Sequence, residues 1–328
     1  MRTAGGQEAG AFAGVGSDAV DIADAVKNAW VTTLPGPFDP TLTWEEAGGD
    51  SLASLQLLLV LEKALCRKLS FDAIASDMTV ADMARSLSAP PAVRPPSQVP
   101  TVFLFPGVLG DEQRLADFRR SFGARLRFEL IELPELDQPA AVLADVKATA
   151  LLAAEEIRRR QPHGEVRLAG YSFGGCVAFE AAHHLRAAQR VVAWIGILDT
   201  AFDSSYRWSR FLRPGVLLIC RIGASDARRR VLVSLVHRLL PQGSLWLRGV
   251  LLKSFRKRAI NRWQPRPLPV PALLATSHPD EPTKRQRWST LCPGLRVIQL
   301  PGHHRALFQS PSIELLTPAF EAAACAAR

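Results

Sequence analysis

The sequence predicts a small all-α bundle followed by a larger domain with a mostly parallel, doubly wound α/β sheet. In residues 17–88, apolar residues recur at helical spacing, whereas residues 101–328 alternate short apolar runs with helical stretches. Between them, the segment SAPPAVRPPSQVP (88–100) contains five prolines, a composition typical of an extended spacer. We therefore predict two domains joined by a Pro-rich linker at 89–100.

The smaller domain contains three predicted helices. The first lies in SDAVDIADAVKNAWVTTL, with Ser17 or Asp18 as its cap, and the second in DSLASLQLLLVLEKAL, with Asp50 or Ser51 as its cap. The third opens at Thr79 in TVADMARSL, where the acid three positions later completes a capping box. A bundle of about 75 residues has a core that is only just sufficient for stability.

The larger domain alternates apolar runs that predict buried strands with helices at 139–160 and 173–188. In sheets of this class, ligands bind beyond the carboxyl ends of the strands. We therefore expect the functional groups at such ends. The predicted strands are TVFLF, RFELIEL, EVRLAG, VVAWIGIL, VPALLAT and LRVIQL.

The net charge of +9 is distributed unevenly along the chain. Residues 15–88 hold eleven acidic and five basic residues, a local charge of −6, while residues 202–266 hold fifteen basic and two acidic residues, a local charge of +13. The basic segment lacks the aromatic spacing of a single-strand platform and any groove-reading motif, so we expect no nucleic-acid partner. Its apolar runs are too short to span a bilayer, so we expect no stable membrane insertion.

Cysteine usage and the N-terminus indicate an intracellular protein. The five cysteines are scattered without metal-site spacing, so we expect reduced thiols, no metal and a cytoplasmic location. Residues 1–16 have Gly and Ala where a secretion signal needs a Leu-rich block, and we expect them to be a disordered lead-in.

The stretch RLAGYSFGGCVAF, residues 167–179, has the pattern of a nucleophile elbow. A strand, the turn GYSFG and a helix follow one another, which is the context that a G-x-S-x-G motif requires. Gly170 and Gly174 remove the β-carbons that would collide where the chain doubles back. Ser172 is the candidate nucleophile, and the N–H of Phe173 is one candidate oxyanion donor.

A serine nucleophile needs a base and an acid to orient that base. After Ser172, the strand WIGIL ends at Asp199, and the strand RVIQL is followed by PGHHRALF, which contains His303 and His304. Only one of the two neighbouring histidines can point inward. Asp280, in LLATSHPDEP after the next strand, is the alternative acid.

The motif WEEAGGDSLASLQLLLVLEKAL carries a family resemblance. Residues 17–88, and GGDSL (48–52) above all, resemble a phosphopantetheine carrier domain of nonribosomal peptide or polyketide synthases. The resemblance implies that Ser51 carries a covalent 4′-phosphopantetheine. A serine at a helix N-terminus would place the added phosphodiester near the positive end of the helix.

Residues 101–328 resemble the type I thioesterase domains that end such synthases, which implies an α/β-hydrolase fold. The family motif PGDHRSL aligns its catalytic histidine with His304, and the family's LLD strand end aligns with ILD, favouring Asp199. The loop FPGVLGD (105–111) resembles the family's PPVLG loop, which points to Val108 as the second oxyanion donor. The insertion at about 202–266 corresponds to the family's helical lid over the acyl channel.

Together the two resemblances imply a carrier–thioesterase didomain. It would hold an acyl, peptidyl or polyketidyl thioester and release it through an acyl-enzyme by hydrolysis or cyclisation. The alternatives are an acyltransferase acting on an external alcohol or amine, an editing hydrolase of mis-primed carriers, and an inactive scaffold. The expected partners are separate synthase proteins that supply the chain, and a phosphopantetheinyl transferase. The opposite charges of the carrier and the lid suggest electrostatic steering between them.

Overall fold

A computed structural model of the chain describes residues 21–67, 69, 71–88, 99–110, 112–200, 202, 214–239, 241–277 and 282–326. The chain divides into two compact units, residues 1–91 and residues 92–328. The expected lead-in at 1–16 and the linker at 89–98 lie outside the described residues. None of the described helices combines the length and the apolar character needed to cross a bilayer.

The first unit is a bundle of short helices. Trp44 lies at its centre and is fully buried. Its ring meets that of Trp30 edge to face at 4.8 Å, and its Nε1 donates a 2.7 Å hydrogen bond to Ser54 Oγ. This bond satisfies the polar edge of a buried indole. The helices are α1 (Ile22–Thr33), α2 (Ser51–Ala64) and α3 (Val80–Ser88), with a 3-10 helix at Phe71–Ala73.

Acidic side chains set the starts of these helices. The first begins later than the sequence predicts: Asp21 caps it by accepting from Ala23 N–H, while the predicted caps lie outside the described residues. The capping box of α3 is present, since Thr79 and Asp82 each accept from the other's backbone N–H. Local capping chemistry therefore fixes where each helix begins.

The second unit is built on a six-stranded parallel sheet with the order β2-β1-β3-β4-β5-β6. All strands run the same way, so their carboxyl ends share one edge of the sheet. The two outer strands, β2 and β6, are not buried as the sequence predicts, because each has a neighbour on one side only. The strands are β1 (Thr101–Phe105), β2 (Arg127–Leu130), β3 (Val166–Tyr171), β4 (Val192–Leu198), β5 (Ala272–Thr276) and β6 (Arg296–Gln299).

Helices cover both faces of this sheet. Along β1, Phe103 belongs to the core formed with α6, α7 and α11, whereas Leu104 belongs to the core formed with α4 and α12. This alternation confirms the predicted doubly wound α/β class. The helices are α4 (Gln113–Arg120), α5 (Ala140–Leu143), α6 (Val146–Arg160), α7 (Phe173–Ala187), α8 (Pro214–Gly223), α9 (Asp226–Leu239), α10 (Pro241–Arg262), α11 (Pro282–Leu291) and α12 (Ser312–Ala326).

The predicted helix at 139–160 is interrupted. Asp145 adopts an extended backbone and accepts hydrogen bonds from Lys147 N–H and Ala148 N–H, so it ends α5 and caps α6. An aspartate side chain competes with the helical backbone for these donors, which explains the break.

Helices α8, α9 and α10 form the insertion between β4 and β5, which we call the lid. They pack on a core that they share with α5 and that includes Leu247, Leu251 and Phe255. Two basic residues of the lid are buried. Arg229 and Arg256 are 1% and 2% exposed.

Candidate active site and carrier site

Ser172 lies at a sharp turn between β3 and α7. Its backbone has φ 55° and ψ −120°, a strained conformation for a residue with a side chain. A β-carbon at Gly170 would lie 2.3 Å from the Gly174 carbonyl oxygen, and one at Gly174 would lie 2.3 Å from the Pro106 carbonyl oxygen. Only glycine fits these two positions. The predicted elbow is thus built, with Ser172 at the carboxyl edge of the sheet.

A buried carboxylate and a histidine are hydrogen-bonded at the same edge. Asp199 follows β4, the neighbour of β3, and its side chain is fully buried. Its Oδ2 accepts a 2.7 Å hydrogen bond from His304 Nδ1. Ser277, just after β5, donates to the same carboxylate through its hydroxyl at 2.8 Å and its N–H at 3.3 Å. Ser277 therefore fixes the position of the carboxylate, and the carboxylate in turn orients the imidazole of His304.

The structure distinguishes the two neighbouring histidines. His304 begins a 3-10 helix (His304–Ala306), and His303 caps it by accepting from Arg305 N–H. The structure thus brings His304 to Asp199, while His303 is exposed and plays a local backbone role. The alternative acid, Asp280, lies outside the described residues.

Tyr171 supports His304 from the residue that precedes the serine. Its ring stacks on the imidazole with centroids 4.9 Å apart and planes 17° apart, and its hydroxyl donates to the His304 carbonyl oxygen at 2.9 Å. Burial raises the pKa of Tyr171, which keeps the hydroxyl protonated as a donor. This contact places the imidazole beside Tyr171, the neighbour of Ser172.

Sequence reasoning missed both Tyr171 and Ser277 as parts of this site. The available signals were local: Tyr171 fills the variable position of the G-x-S-x-G motif, and Ser277 immediately follows a strand end. Neither signal says which distant side chain the residue will meet.

The two candidate oxyanion donors lie on adjacent segments. Phe173 is the first residue of α7, and the first N–H groups of a helix have no intrahelical partner. Val108 lies in the loop after β1, which is closed by a 3.1 Å hydrogen bond from Gly110 N–H to the Gly107 carbonyl oxygen. The close approach of Gly174 to the Pro106 carbonyl brings the start of α7 against this loop.

The buried cysteines of this unit are not part of the site formed by Ser172, Asp199 and His304. Cys176 is fully buried in the core of α7, and burial raises the pKa of Cys292 to about 12, so both are unsuited to form thiolates. None of the five cysteines forms a disulfide bond. Within the described ranges, no group of three or more histidine, cysteine or acidic side chains could hold a metal ion.

Ser51 is the first residue of α2, and its side chain lies outside the described part of the chain. Its neighbours Asp50 and Leu52 are exposed. A β-carbon at Gly49 would lie 2.3 Å from the Trp44 ring, so the turn before the serine packs closely on the bundle. A serine at an exposed, well-anchored helix start suits covalent attachment of a long arm.

The start of α2 already uses two of its backbone donors. The Asp50 carboxylate already accepts from Leu52 N–H at 3.0 Å and Ala53 N–H at 2.8 Å. Two donors that could have faced a phosphodiester are therefore occupied by the N-cap. An attached phosphate would gain little from them.

Comparisons with known families assign both units. Residues 24–87 match the phosphopantetheine attachment site family, and residues 100–215 match the thioesterase domain family. Indigoidine synthase from Dickeya dadantii is 30% identical over 190 residues, which cover 53% of this chain and 13% of that protein. The chain thus spans a small share of the curated relatives that it matches.

Solved structures share the fold. A four-domain nonribosomal peptide synthetase, bound to AMP and glycine, superposes with a TM-score of 0.55 at 18% identity, covering 96% of this chain and 27% of that chain. The RedJ thioesterase of the prodiginine pathway of Streptomyces coelicolor has a TM-score of 0.51 at 20% identity, covering 72% of this chain and 91% of that chain. The chain therefore carries a phosphopantetheine attachment domain followed by a thioesterase domain, and its fold resembles that of a nonribosomal peptide synthetase and of solved thioesterases.

Proposed function

We propose that this chain releases an acyl, peptidyl or polyketidyl group from a thioester, by hydrolysis or cyclisation. The observation that carries the proposal is the 2.7 Å hydrogen bond between His304 and the buried Asp199, beside a serine on a strained elbow. A base oriented by a buried acid, next to an accessible hydroxyl, is the arrangement that acyl transfer requires.

In the first half-reaction, Ser172 Oγ attacks the thioester carbonyl carbon while His304 Nε2 takes the hydroxyl proton. Asp199 holds Nδ1–H and stabilises the imidazolium that forms. The Phe173 and Val108 N–H groups donate to the developing oxyanion. The carbon–sulfur bond then breaks, and His304 returns its proton to the departing thiolate. A free thiol and an acyl ester of Ser172 result.

In the second half-reaction, a nucleophile removes the acyl group from Ser172. Water, deprotonated by His304, gives a carboxylic acid; a hydroxyl or amine of the bound chain gives a ring. The serine hydroxyl is regenerated in both cases. Transfer to an external alcohol or amine follows the same chemistry, but no feature of the described residues favours it.

Ser51 is the residue that would hold phosphopantetheine, whose thiol supplies the thioester linkage to the chain. Its place at an exposed helix start supports this assignment. Synthase proteins that supply the acyl chain and a phosphopantetheinyl transferase are the expected partners. The five free thiols favour a reducing compartment such as the cytoplasm.

The catalytic proposal is tested with acyl N-acetylcysteamine thioesters, which need no carrier arm. Wild-type protein should release thiol, and Ser172→Ala should lower kcat by at least about 10³-fold. An alkyl fluorophosphonate should label Ser172 in folded protein and leave the variant unlabelled. Absence of labelling in folded wild type would instead indicate an inactive scaffold.

The attachment proposal is tested independently by intact mass spectrometry. Incubation with coenzyme A and a phosphopantetheinyl transferase should add one phosphopantetheine to wild type and none to Ser51→Ala. Ser54→Ala is the matched control within the same helix, and it should still be modified. Modification of Ser51→Ala would remove the assignment.

A further inference from the structure

Arg256 is a buried cation on α10 that reaches the loop after β1. It is 2% exposed, its Nη1 donates to the Val108 carbonyl oxygen at 2.6 Å, and its Nη2 donates to the Pro134 carbonyl oxygen at 2.9 Å. One planar guanidinium thus joins the loop of Val108 to the segment that follows β2. A lysine could not form this fork, because its single ammonium cannot span two fixed carbonyls in the same way.

The same guanidinium also contacts the other oxyanion candidate. Its carbon lies 5.5 Å from the centroid of the Phe173 ring, within the range of a cation–π contact. Arg256 therefore touches both residues whose N–H groups are proposed to bind the oxyanion. These residues come from loops 65 positions apart in the sequence, and Arg256 comes from a third element, the lid.

We propose that Arg256 is a positioning residue that sets the oxyanion hole, by fixing the Val108 loop against the start of α7. The inference rests on the proposed function of Ser172, Val108 and Phe173. It makes the lid part of the catalytic apparatus, because α10 supplies the side chain that holds two donors in register.

The loop has one backbone hydrogen bond of its own, from Gly110 N–H to the Gly107 carbonyl oxygen, and Arg256 adds a bond at the residue between them. Gly107 and Gly110 flank Val108, and Gly110 has φ +93°, a conformation that glycine adopts without strain. A charge-assisted hydrogen bond to the Val108 carbonyl restricts the rotation of the adjoining peptide units. A displacement of about 1 Å in a positioning group can lower a rate by about 10²-fold.

The charge of Arg256 is retained in its buried setting. Desolvation lowers the pKa of the guanidinium to about 10, which leaves it protonated at neutral pH. Glu135, whose negative charge favours the protonated form of Arg256, is paired with Arg248, whose Nε donates to it at 2.8 Å. Arg248 also donates to the Leu109 carbonyl oxygen at 3.3 Å, so α10 contacts the same loop twice.

Arg229 provides a matched control for a purely structural role. It is also a buried lid arginine, it donates to the Leu136 and Gly223 carbonyl oxygens at 2.9 and 3.2 Å, and it lies 5.2 Å from the Phe255 ring centroid. It therefore repeats the fork and the ring contact of Arg256, and it likewise joins the lid to the segment that follows β2. Among the described residues, these contacts involve neither Val108 nor Phe173.

The experiment compares Arg256→Met, Arg256→Lys and Arg229→Met in the full chain. The readouts are kcat and KM for an acyl N-acetylcysteamine thioester, the Kd of an alkylboronic acid that forms a tetrahedral adduct with Ser172, and Tm. Arg256→Met should lower kcat about 10²-fold with KM nearly unchanged, and it should raise the Kd of the boronic acid by a similar factor. Arg256→Lys should lose less, and Arg229→Met should lower Tm while kcat and the boronic acid Kd stay near wild type.

Three results would overturn the proposal. These are unchanged kcat in folded Arg256→Met, a fall in kcat without a change in boronic acid affinity, and an equal loss of kcat in Arg229→Met. If Arg256→Met does not fold, Arg256→Lys decides, and unchanged kcat and Kd there overturn the proposal. A wild type whose turnover does not depend on Ser172 would refute the proposed function instead.

Discussion

At the scale of single residues, the Asp199 carboxylate orients the imidazole of His304. Replacing Asp199 by Asn leaves one oxygen on the side chain, and the Ser277 N–H, which donates to Oδ1, should hold that oxygen there and leave the NH₂ group facing His304 Nδ1. Because an amide nitrogen cannot accept this bond, the imidazole should favour the wrong tautomer. We expect kcat for a small thioester to fall about 10³–10⁴-fold at pH 7 with little change in KM.

The matched control for this substitution is Asp145→Asn. Asp145 is likewise an aspartate that accepts two hydrogen bonds, but it caps α6. An asparagine cap is nearly as favourable, so both Tm and kcat should stay near wild type. The tautomer explanation would be wrong if Asp199→Asn retained wild-type kcat, or if the fall in kcat merely followed a loss of folded protein in circular dichroism.

The sequence predicted the residues of this site unevenly, for physical reasons. Ser172 could be predicted because the glycines that its turn requires are its near neighbours in the chain. Pattern alone could not separate His303 from His304, since the difference is which side chain the 3-10 helix turns toward Asp199. Tyr171 and Arg256 act through contacts with residues far away in the sequence, which no local pattern encodes.

At the scale of elements, α6 is tied to its surroundings by a carboxylate near its end. Glu156 accepts from Arg159 at 2.9 Å and from Arg160 at 2.6 Å, and Arg160 also donates to the Leu130 carbonyl oxygen of β2. These hydrogen bonds from the two arginines lower the pKa of Glu156 to about 2. Glu156 therefore holds, in a pH-dependent way, the arginine that also bonds to the edge of the sheet.

Glu156→Gln should remove the charge-assisted hydrogen bonds to Arg159 and Arg160, while Arg160 can still donate to the Leu130 carbonyl oxygen. Since the folded pKa lies below the ordinary value of 4.5, the contribution is complete above pH 4.5 and is lost as pH falls toward about 2. We expect a loss of about 0.3–1 kcal/mol in the free energy of unfolding at pH 7, because these groups are partly exposed, and a smaller loss at pH 4 and below. Urea unfolding at each pH measures the free energy of unfolding. Hydrogen exchange of peptides from α6 then shows whether the loss lies in this helix.

The exposed neighbour on the same helix supplies the control for that measurement. Glu155→Gln makes the same chemical change and should leave the free energy of unfolding near wild type at every pH. A difference between Glu156→Gln and wild type that grows as pH falls would contradict the assigned sign.

The bounds of the central strands could be predicted closely from the sequence, because a strand that is buried on both faces consists mainly of apolar residues. Strands β3, β4 and β5 are mostly apolar, and their observed bounds lie within two residues of the predicted ones. Edge strand β2 is shorter than its predicted run, because its apolar residues continue past the point where pairing with β1 ends. The break before α6 was missed because apolar periodicity continues through Asp145, whose capping role depends on its backbone conformation.

At the scale of the whole molecule, one chain contains two proposed active centres. Ser51, the proposed attachment residue, belongs to the unit of residues 1–91, and Ser172, the proposed nucleophile, to the unit of residues 92–328. Covalent linkage turns delivery of the thioester into an intramolecular event, whose effective concentration for a short linker is about millimolar. At micromolar protein, release within one chain should therefore be faster than release between two chains.

This expectation is testable with two variants. Acyl-phosphopantetheine is loaded onto wild type, and separately onto Ser172→Ala, which is then mixed with Ser51→Ala. Release from wild type should be first order, with a rate that is independent of protein concentration from about 1 to 50 μM. Release from the mixture should be slower, and its rate should rise in proportion to the concentration of Ser51→Ala. The reason is that the loaded Ser172→Ala chain must reach the Ser172 of another chain by diffusion.

Added salt separates electrostatic steering from simple proximity in the same assay. Residues 15–88 carry a charge of −6 and residues 202–266 a charge of +13, so encounter between separate chains should slow as salt rises from about 0.05 to 0.5 M. Charge reversal at the exposed Arg228 and Arg230 should reduce that salt dependence, while hydrolysis of a neutral N-acetylcysteamine thioester should be unaffected. If release between chains is insensitive to both salt and charge reversal, the opposite charges do not steer delivery.

If release from wild type itself depends on protein concentration, the thioester is exchanged between molecules, and the two centres of one chain do not serve each other.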